Sequence, residues 1–166
     1  KDYKTNSDGS EILKDLSAVH GGKCAVRHTR SSGDIWSGSV VVTLDNRSVK
    51  SDGISFYVNN SKRNGTTVPS LRCFIVAGKE TIVAQKVLPI SKQGSYLKYT
   101  VLFDDLGEIG ADKWSGGTNT GKKLTDEEKA AITKLEIRFS DTTAGDTFDF
   151  DDFRYEKKPV QSDGSY

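Results

Sequence analysis

The stretch DTFDFDDFRY, residues 146–155, decides how this chain is read. Phe148, Asp149, Phe150 and Asp151 alternate apolar with acidic, the period of a strand with one buried and one wet face. At Asp152 the alternation breaks. Neighbours in a strand point to opposite faces, so one of Asp151 and Asp152 is expected to turn towards the side that buries Phe148 and Phe150. A carboxylate there is costly unless it is paired or holds a metal. Two readings stay open. The acids bind a cation at a bulge, calcium fitting best because it accepts many oxygen ligands in irregular geometry. Alternatively they are edge-strand acids, one solvated and one bonded to Arg154 or a backbone amide.

The same two-residue period recurs upstream. Ile54, Phe56 and Val58 share one face of SDGISFYVNN, and Leu71, Cys73 and Ile75 share one face of LRCFIVAG. Leu97, Tyr99, Val101 and Phe103 do so in SYLKYTVLF, as do Leu135, Ile137 and Phe139 in KLEIRFS. Further strands are expected in GGKCAVRHT, near residues 39–44, and in ETIVAQKVL, which Ala77-Gly78 joins to its predecessor as a hairpin. Asn64-Gly65 marks a turn. Residues 1–10 read as an arm or a first edge strand. Thr125 followed by Glu128 is a capping box, which predicts one short helix from Asp126 to Ile132. About eight or nine short strands without an internal repeat predict an all-β fold, an antiparallel two-sheet β-sandwich with one short helix.

The 166 residues suffice for one domain with a core. With 24 basic and 23 acidic residues the net charge is +1, which gives no reason to expect a nucleic-acid partner. No apolar run approaches membrane-spanning length, so a soluble domain without a membrane partner is expected. There is no Met, even at position 1, as expected of a module from a longer protein or of a processed chain. The module is assigned to residues 1–156 and a linker or frayed tail to 157–166. Cys24 and Cys73 lack metal-type spacing. They are two buried thiols, or a disulfide if their strands are neighbours.

Catalysis is not expected. Glycoside hydrolysis needs two carboxylates across a cleft, and the acids at 104, 105, 127, 128, 151 and 152 do not form the E-x-D-x-x-E pattern of jelly-roll glucanases. Glu127 and Glu128 are explained by the helix start, where negative charge is favoured. His20 and His28 have no nucleophile motif beside them and do not make a zinc set. SGGTNTGKK has the wrong spacing for a phosphate loop.

The series GGKCAVR, W-S-G, SDGISFYV, YTVLFDDL, LTDEEKAAITKLEIRF and FDFDDFRYE, in this order over residues 20–156, resembles jelly-roll carbohydrate-binding modules. The likeness is to the family-11 and family-30 type, attached to plant-cell-wall-degrading enzymes of anaerobic bacteria. The usual acidic D-F-E opening is absent from residues 1–20. The resemblance implies a jelly roll with a concave platform for a polysaccharide chain and a structural calcium near the last strand. It makes Asp151 a calcium ligand, and Asp152, Asp8, Glu11 and the Gly22 region candidates for the rest of the shell. It also implies a secreted, monomeric module covalently linked to a catalytic module.

Sugars are gripped by aromatic stacking and by polar side chains that bond their hydroxyls. The faces opposite the buried alternation carry Tyr57, Arg72, Phe74, Lys98, Glu136 and Arg138. A sandwich has two outer faces, so these residues are not expected to share one. Trp114 in KWSGG and Trp36 in IWSG stand beside glycines in loops and are the stacking candidates, each a ligand contact or a plug at the sandwich rim. The function expected is binding of plant cell wall polysaccharide: a β-1,4 or mixed-linkage glucan, xyloglucan or mannan. The alternative is a structural or adhesive β-sandwich of a modular surface protein without a sugar site.

Overall fold

In the computed structural model the chain forms two antiparallel five-stranded sheets and one short helix. The structure describes residues 3–6, 10–13, 25–44, 50–78, 81–104 and 124–158. In chain order the elements are β1 (Tyr3–Asn6), β2 (Ser10–Leu13), β3 (Ala25–Thr29), β4 (Ser39–Thr43) and β5 (Gly53–Lys62). They continue with β6 (Ser70–Ala77), β7 (Thr81–Pro89), β8 (Leu97–Leu102), α1 (Asp126–Ala130), β9 (Ile132–Ser140) and β10 (Thr147–Glu156). The first sheet runs β1-β4-β9-β6-β7 and the second β2-β3-β10-β5-β8, so the chain repeatedly crosses between layers, as in a jelly roll.

The expected alternation places the core between the sheets. Val40, Val42, Leu71, Cys73, Ile75, Leu135, Ile137 and Phe139 face inward from the first sheet. Val26, Ile54, Phe56, Val58, Val101, Phe148 and Phe150 meet them from the second. Phe139 lies at an aromatic junction, stacked on His28 at 4.6 Å and packed on Phe148 at 4.9 Å and Phe150 at 5.9 Å between ring centroids. Cys73 is a free buried thiol, so of the two readings the thiol holds for it. Burial pushes that thiol far above its ordinary range, which makes it unreactive.

Three expectations are corrected. The amino-terminal segment forms two strands, one at an edge of each sheet, because both sheets need a partner there. Helix α1 has the expected capping box, with Thr125 accepting from the Glu128 amide at 3.1 Å and Glu128 accepting from the Thr125 amide at 3.0 Å. It ends at Ala130, because Ile132 is claimed by β9 and pairs with Ala77.

The third correction concerns the opening stretch. Neither acid joins the face that buries Phe148 and Phe150. Asp151 pairs with Tyr57 and Arg154 with Ser55, so Asp152 and Phe153 together oppose the single residue Phe56. Asp152 is the extra residue of a β-bulge, held at φ 57° in the left-handed region that Asp tolerates better than most residues. The bulge resets the phase. Phe153 returns to the core at 5.2 Å from Phe56, and Asp151 keeps the side of Asp149, opposite Phe150, where both are buried.

Candidate functional site

The outer face of the first sheet carries most of the expected ligand residues. Phe74 is a correction among them: on the face away from the core it is wholly buried, in a small apolar cluster with Val76, and is not open to a ligand. Inward burial of Leu135, Ile137 and Phe139 forces Lys134, Glu136 and Arg138 of β9 outward. Register then builds two rows across the sheet. Arg138 faces Arg72, which faces Val87, with Ser39 completing the row one step beyond the Val40–Ile137 pair. Val41 faces Glu136, which faces Phe74, which faces Gln85. The backbone of β1 extends both rows, with Asn6 opposite Ser39 and Lys4 opposite Val41.

Trp36 joins this face from the loop between β3 and β4. Asp34 Oδ1 accepts the Trp36 amide at 3.0 Å, and the Asp34 carbonyl accepts the Ser37 amide at 3.1 Å. Arg30 props the loop from below. Its guanidinium donates to the Asp34 carbonyl, to Ser37 Oγ at 3.2 Å and to Thr142 Oγ1 at 3.2 Å, and rests over the Phe139 ring at 5.0 Å. Burial lowers the Arg30 pKa from its ordinary value. Arg138 supports Trp36 itself, with its guanidinium 4.9 Å from the ring centroid and Nη1 donating to the Ile35 carbonyl at 3.4 Å. Glu136 holds Arg138 in turn at 2.7 Å. The indole is 46% exposed, a large aromatic surface kept in the open by a fixed cation. Of its two readings, rim plug and ligand contact, the exposure fits the second.

Beside this platform polar groups are buried without partners. Among the described residues five such side-chain atoms lie on this face: Ser39 Oγ, Arg72 Nε, Arg138 Nε, and both Nε2 and Oε1 of Gln85. Two others are Asn59 Oδ1, on the outer face of the second sheet, and Ser95 Oγ. Gln85 is only 3% exposed. Each orphaned buried group costs about 1–3 kcal/mol. Gln85 and Ser39 were not singled out from sequence. The available signal was a Gln at an outward position of the apolar run TIVAQKVLP.

Tyr57 and Lys98 do not join this cluster. They stand on the outer face of the second sheet, where Lys98 pairs with Glu156 at 3.1 Å and Tyr57 lies opposite Asp151. That face pairs most of its charges, though Asn59 Oδ1 there is buried without a partner. Arg27 grips Asp149 through two bonds of 2.7 and 3.0 Å, and Ser55 donates to Glu156. The Ser55 hydrogen bond, then Lys98, hold the Glu156 carboxyl below its ordinary range. Burial, then Asp149 and Asp151, raise the Tyr96 hydroxyl above its own.

Of the metal candidates, Asp151 is buried at the bulge, where its Oδ1 accepts the Asp152 amide at 2.7 Å. Asp152 turns to Arg154 at 2.8 Å. Among the described residues no three His, Cys, Asp or Glu side chains gather as a metal site. Asp8, Gly22, the Glu11 side chain and Trp114 lie outside what the structure describes.

Against this geometry, no family model and no curated protein matches the chain. Solved structures do. One is the family 11 carbohydrate-binding module of the cellulosomal cellulase Lic26A-Cel5E of Clostridium thermocellum, at 14% identity and TM-score 0.61, covering 98% of this chain and 86% of that one. A family 11 module from Clostridium thermocellum in complex with a β-1,3-1,4-mixed-linked tetrasaccharide matches at 13% identity and TM-score 0.58, covering 93% and 88%. The K1 cleaved adhesin domain of Lys-gingipain from Porphyromonas gingivalis matches at 10% identity and TM-score 0.56, covering 95% and 91%. The fold is therefore the jelly roll of carbohydrate-binding modules, shared with at least one adhesin domain.

Because the Gln85 amide is buried without partners, replacing it by an apolar residue of similar size should stabilise the protein. Gln85→Leu is expected to raise the unfolding free energy in urea by about 1–3 kcal/mol. A fall in stability would contradict the placement of that amide.

Proposed function

We propose that this protein is a non-catalytic carbohydrate-binding module. Its ligand is a plant cell wall polysaccharide with a β-1,4 or mixed-linkage glucan, xyloglucan or mannan backbone. The observation that carries the reading is an exposed indole fixed over one sheet face by Arg138 and Glu136, with Arg72 on the neighbouring strand. A pyranose suits such a face, with an apolar C–H side for the ring and hydroxyls for the charged side chains beside it. The shared fold of the mixed-linkage-glucan-binding module supports the reading without proving the ligand.

The face is poorly equipped for hydrolysis. Glu136 is the one carboxylate among its described strand residues, and Arg138 holds it as an ion pair. Two free carboxylates would be needed. The module would serve as a secreted, monomeric targeting domain, covalently linked to a glycoside hydrolase. A structural or adhesive role is the second reading, favoured by the match to the adhesin domain.

Affinity electrophoresis in gels holding soluble glucan, xyloglucan or mannan separates the two. The native protein should be retarded by at least one of them, and Trp36→Ala should weaken binding at least about tenfold, or about 1.4 kcal/mol, with little change in melting temperature. Trp114→Ala is expected to act likewise. No retardation in any gel would leave the adhesive reading. Retained binding with lost stability in Trp36→Ala would make that residue a rim plug.

Calcium at Asp151 belongs to the same proposal. A buried carboxylate at a bulge, next to the start of β3, supports it, with Asp8, Glu11 and Gly22 as the further candidates. The ion would bring second-sheet segments together, away from the sugar. Bound only by the folded state, it would add about 2.7 kcal/mol at a hundredfold excess over Kd. Chelation should lower the melting midpoint of calcium-loaded protein and Asp151→Ala should mimic it. An unchanged midpoint would reject the ion.

A further inference from the structure

The charges on the candidate face do not balance. Arg138 is neutralised by Glu136 at 2.7 Å. Arg72, directly opposite Arg138 on the neighbouring strand, makes no hydrogen bond or ion pair with any described residue, and its Nε is buried. Like charges placed opposite each other across strands are destabilising. The second sheet is handled differently, since Arg27 there is matched by Asp149 and Lys98 by Glu156. Among the described residues, one guanidinium beside the stacking platform has no anion.

A neutral glucan would not supply that anion. It could bond the Arg72 N–H groups through hydroxyls, but the charge of Arg72 would persist. A carboxylate fits the guanidinium fork with two parallel bonds, and such charge-assisted pairs are the strong ones. The positions suit one substituted chain. The Trp36 ring lies against Arg138, and Arg72 stands one strand further across the sheet. A chain stacked on Trp36 would carry its next substituent over Arg72. We propose, resting on the carbohydrate-binding reading above, that the ligand is a uronic-acid-bearing polysaccharide. In it a β-1,4-linked backbone stacks on Trp36 and a uronate carboxylate binds Arg72.

The test compares two ligands by calorimetric titration. One is a xylan-type oligosaccharide carrying a single glucuronate. The other is the same oligosaccharide with its carboxyl reduced to the primary alcohol. The acid form should bind at least about tenfold tighter at low salt, the scale of one hydrogen-bonded charge pair. The advantage should shrink as salt rises. Arg72→Gln should erase the preference and leave affinity for the reduced form nearly unchanged. Arg72→Lys, which keeps the charge without the fork, should retain part of it. Equal binding of the two forms by the native protein would overturn the proposal while leaving the carbohydrate-binding reading intact. So would an unchanged preference in Arg72→Gln, or binding of neutral glucan alone. Failure to bind any saccharide, acidic or neutral, would overturn both.

Discussion

The candidate face depends on the burial of three residues that point away from it. Leu135, Ile137 and Phe139 of β9 are almost wholly withdrawn from water. Each fully buried side chain of this size contributes about 1.5–3 kcal/mol. Their inward phase leaves Glu136 and Arg138 no direction but outward. A slip of one residue would bury an ion pair and expose the aromatic junction, so the register is strongly specified. Since β9 lies between β4 and β6, the same phase lines Ser39, Arg72, Phe74 and Gln85 up with Glu136 and Arg138. Core packing and site geometry are consequences of one alternation.

The two outer faces show different solutions to carrying charge. On the second sheet acids and bases neutralise each other, and the network reaches the end of the described chain. Lys158 donates from its backbone to Asp52 at 2.7 Å and from Nζ to Asp104 at 3.0 Å. The Lys158 bond is the main reason the Asp104 carboxyl sits below its ordinary range. On the first sheet Gln85, Arg72 and Ser39 keep buried polar atoms unsatisfied beside an exposed indole. A protein shaped for stability alone would have placed apolar or paired groups there. The exposed indole and the contrast between the faces support the recognition proposed for the first sheet.

Much of the fold was legible in the sequence because period-2 patterns are local. The strands around Phe56, Cys73, Val101, Ile137 and Phe150, and the Thr125–Glu128 box, follow from neighbours in the chain. The break at Asp152 was visible, but its resolution was not. A bulge and an inward carboxylate give the same letters, and only the pairing of Asp151 with Tyr57 and Arg154 with Ser55 separates them. Parity likewise showed that Tyr57, Lys98, Arg72 and Arg138 face outward without saying from which sheet. That depends on long-range strand order, which placed Tyr57 and Lys98 away from the other four strand candidates. Gln85 escaped notice because an amide in an apolar strand gains meaning only when its partners are seen to be missing.

The central claim is that a saccharide binds over Trp36 on the first sheet. Side-chain nitrogen NMR observes the groups around that ring, through the Nε–H signals of Arg72 and Arg138 and the amide signals of Gln85. Titration with a β-1,4- or mixed-linkage oligosaccharide should shift these signals together and saturably, leaving the Arg27 signal in place. Movement of Arg27 with Arg72, Arg138 and Gln85 unmoved would put binding on the other sheet and contradict the account.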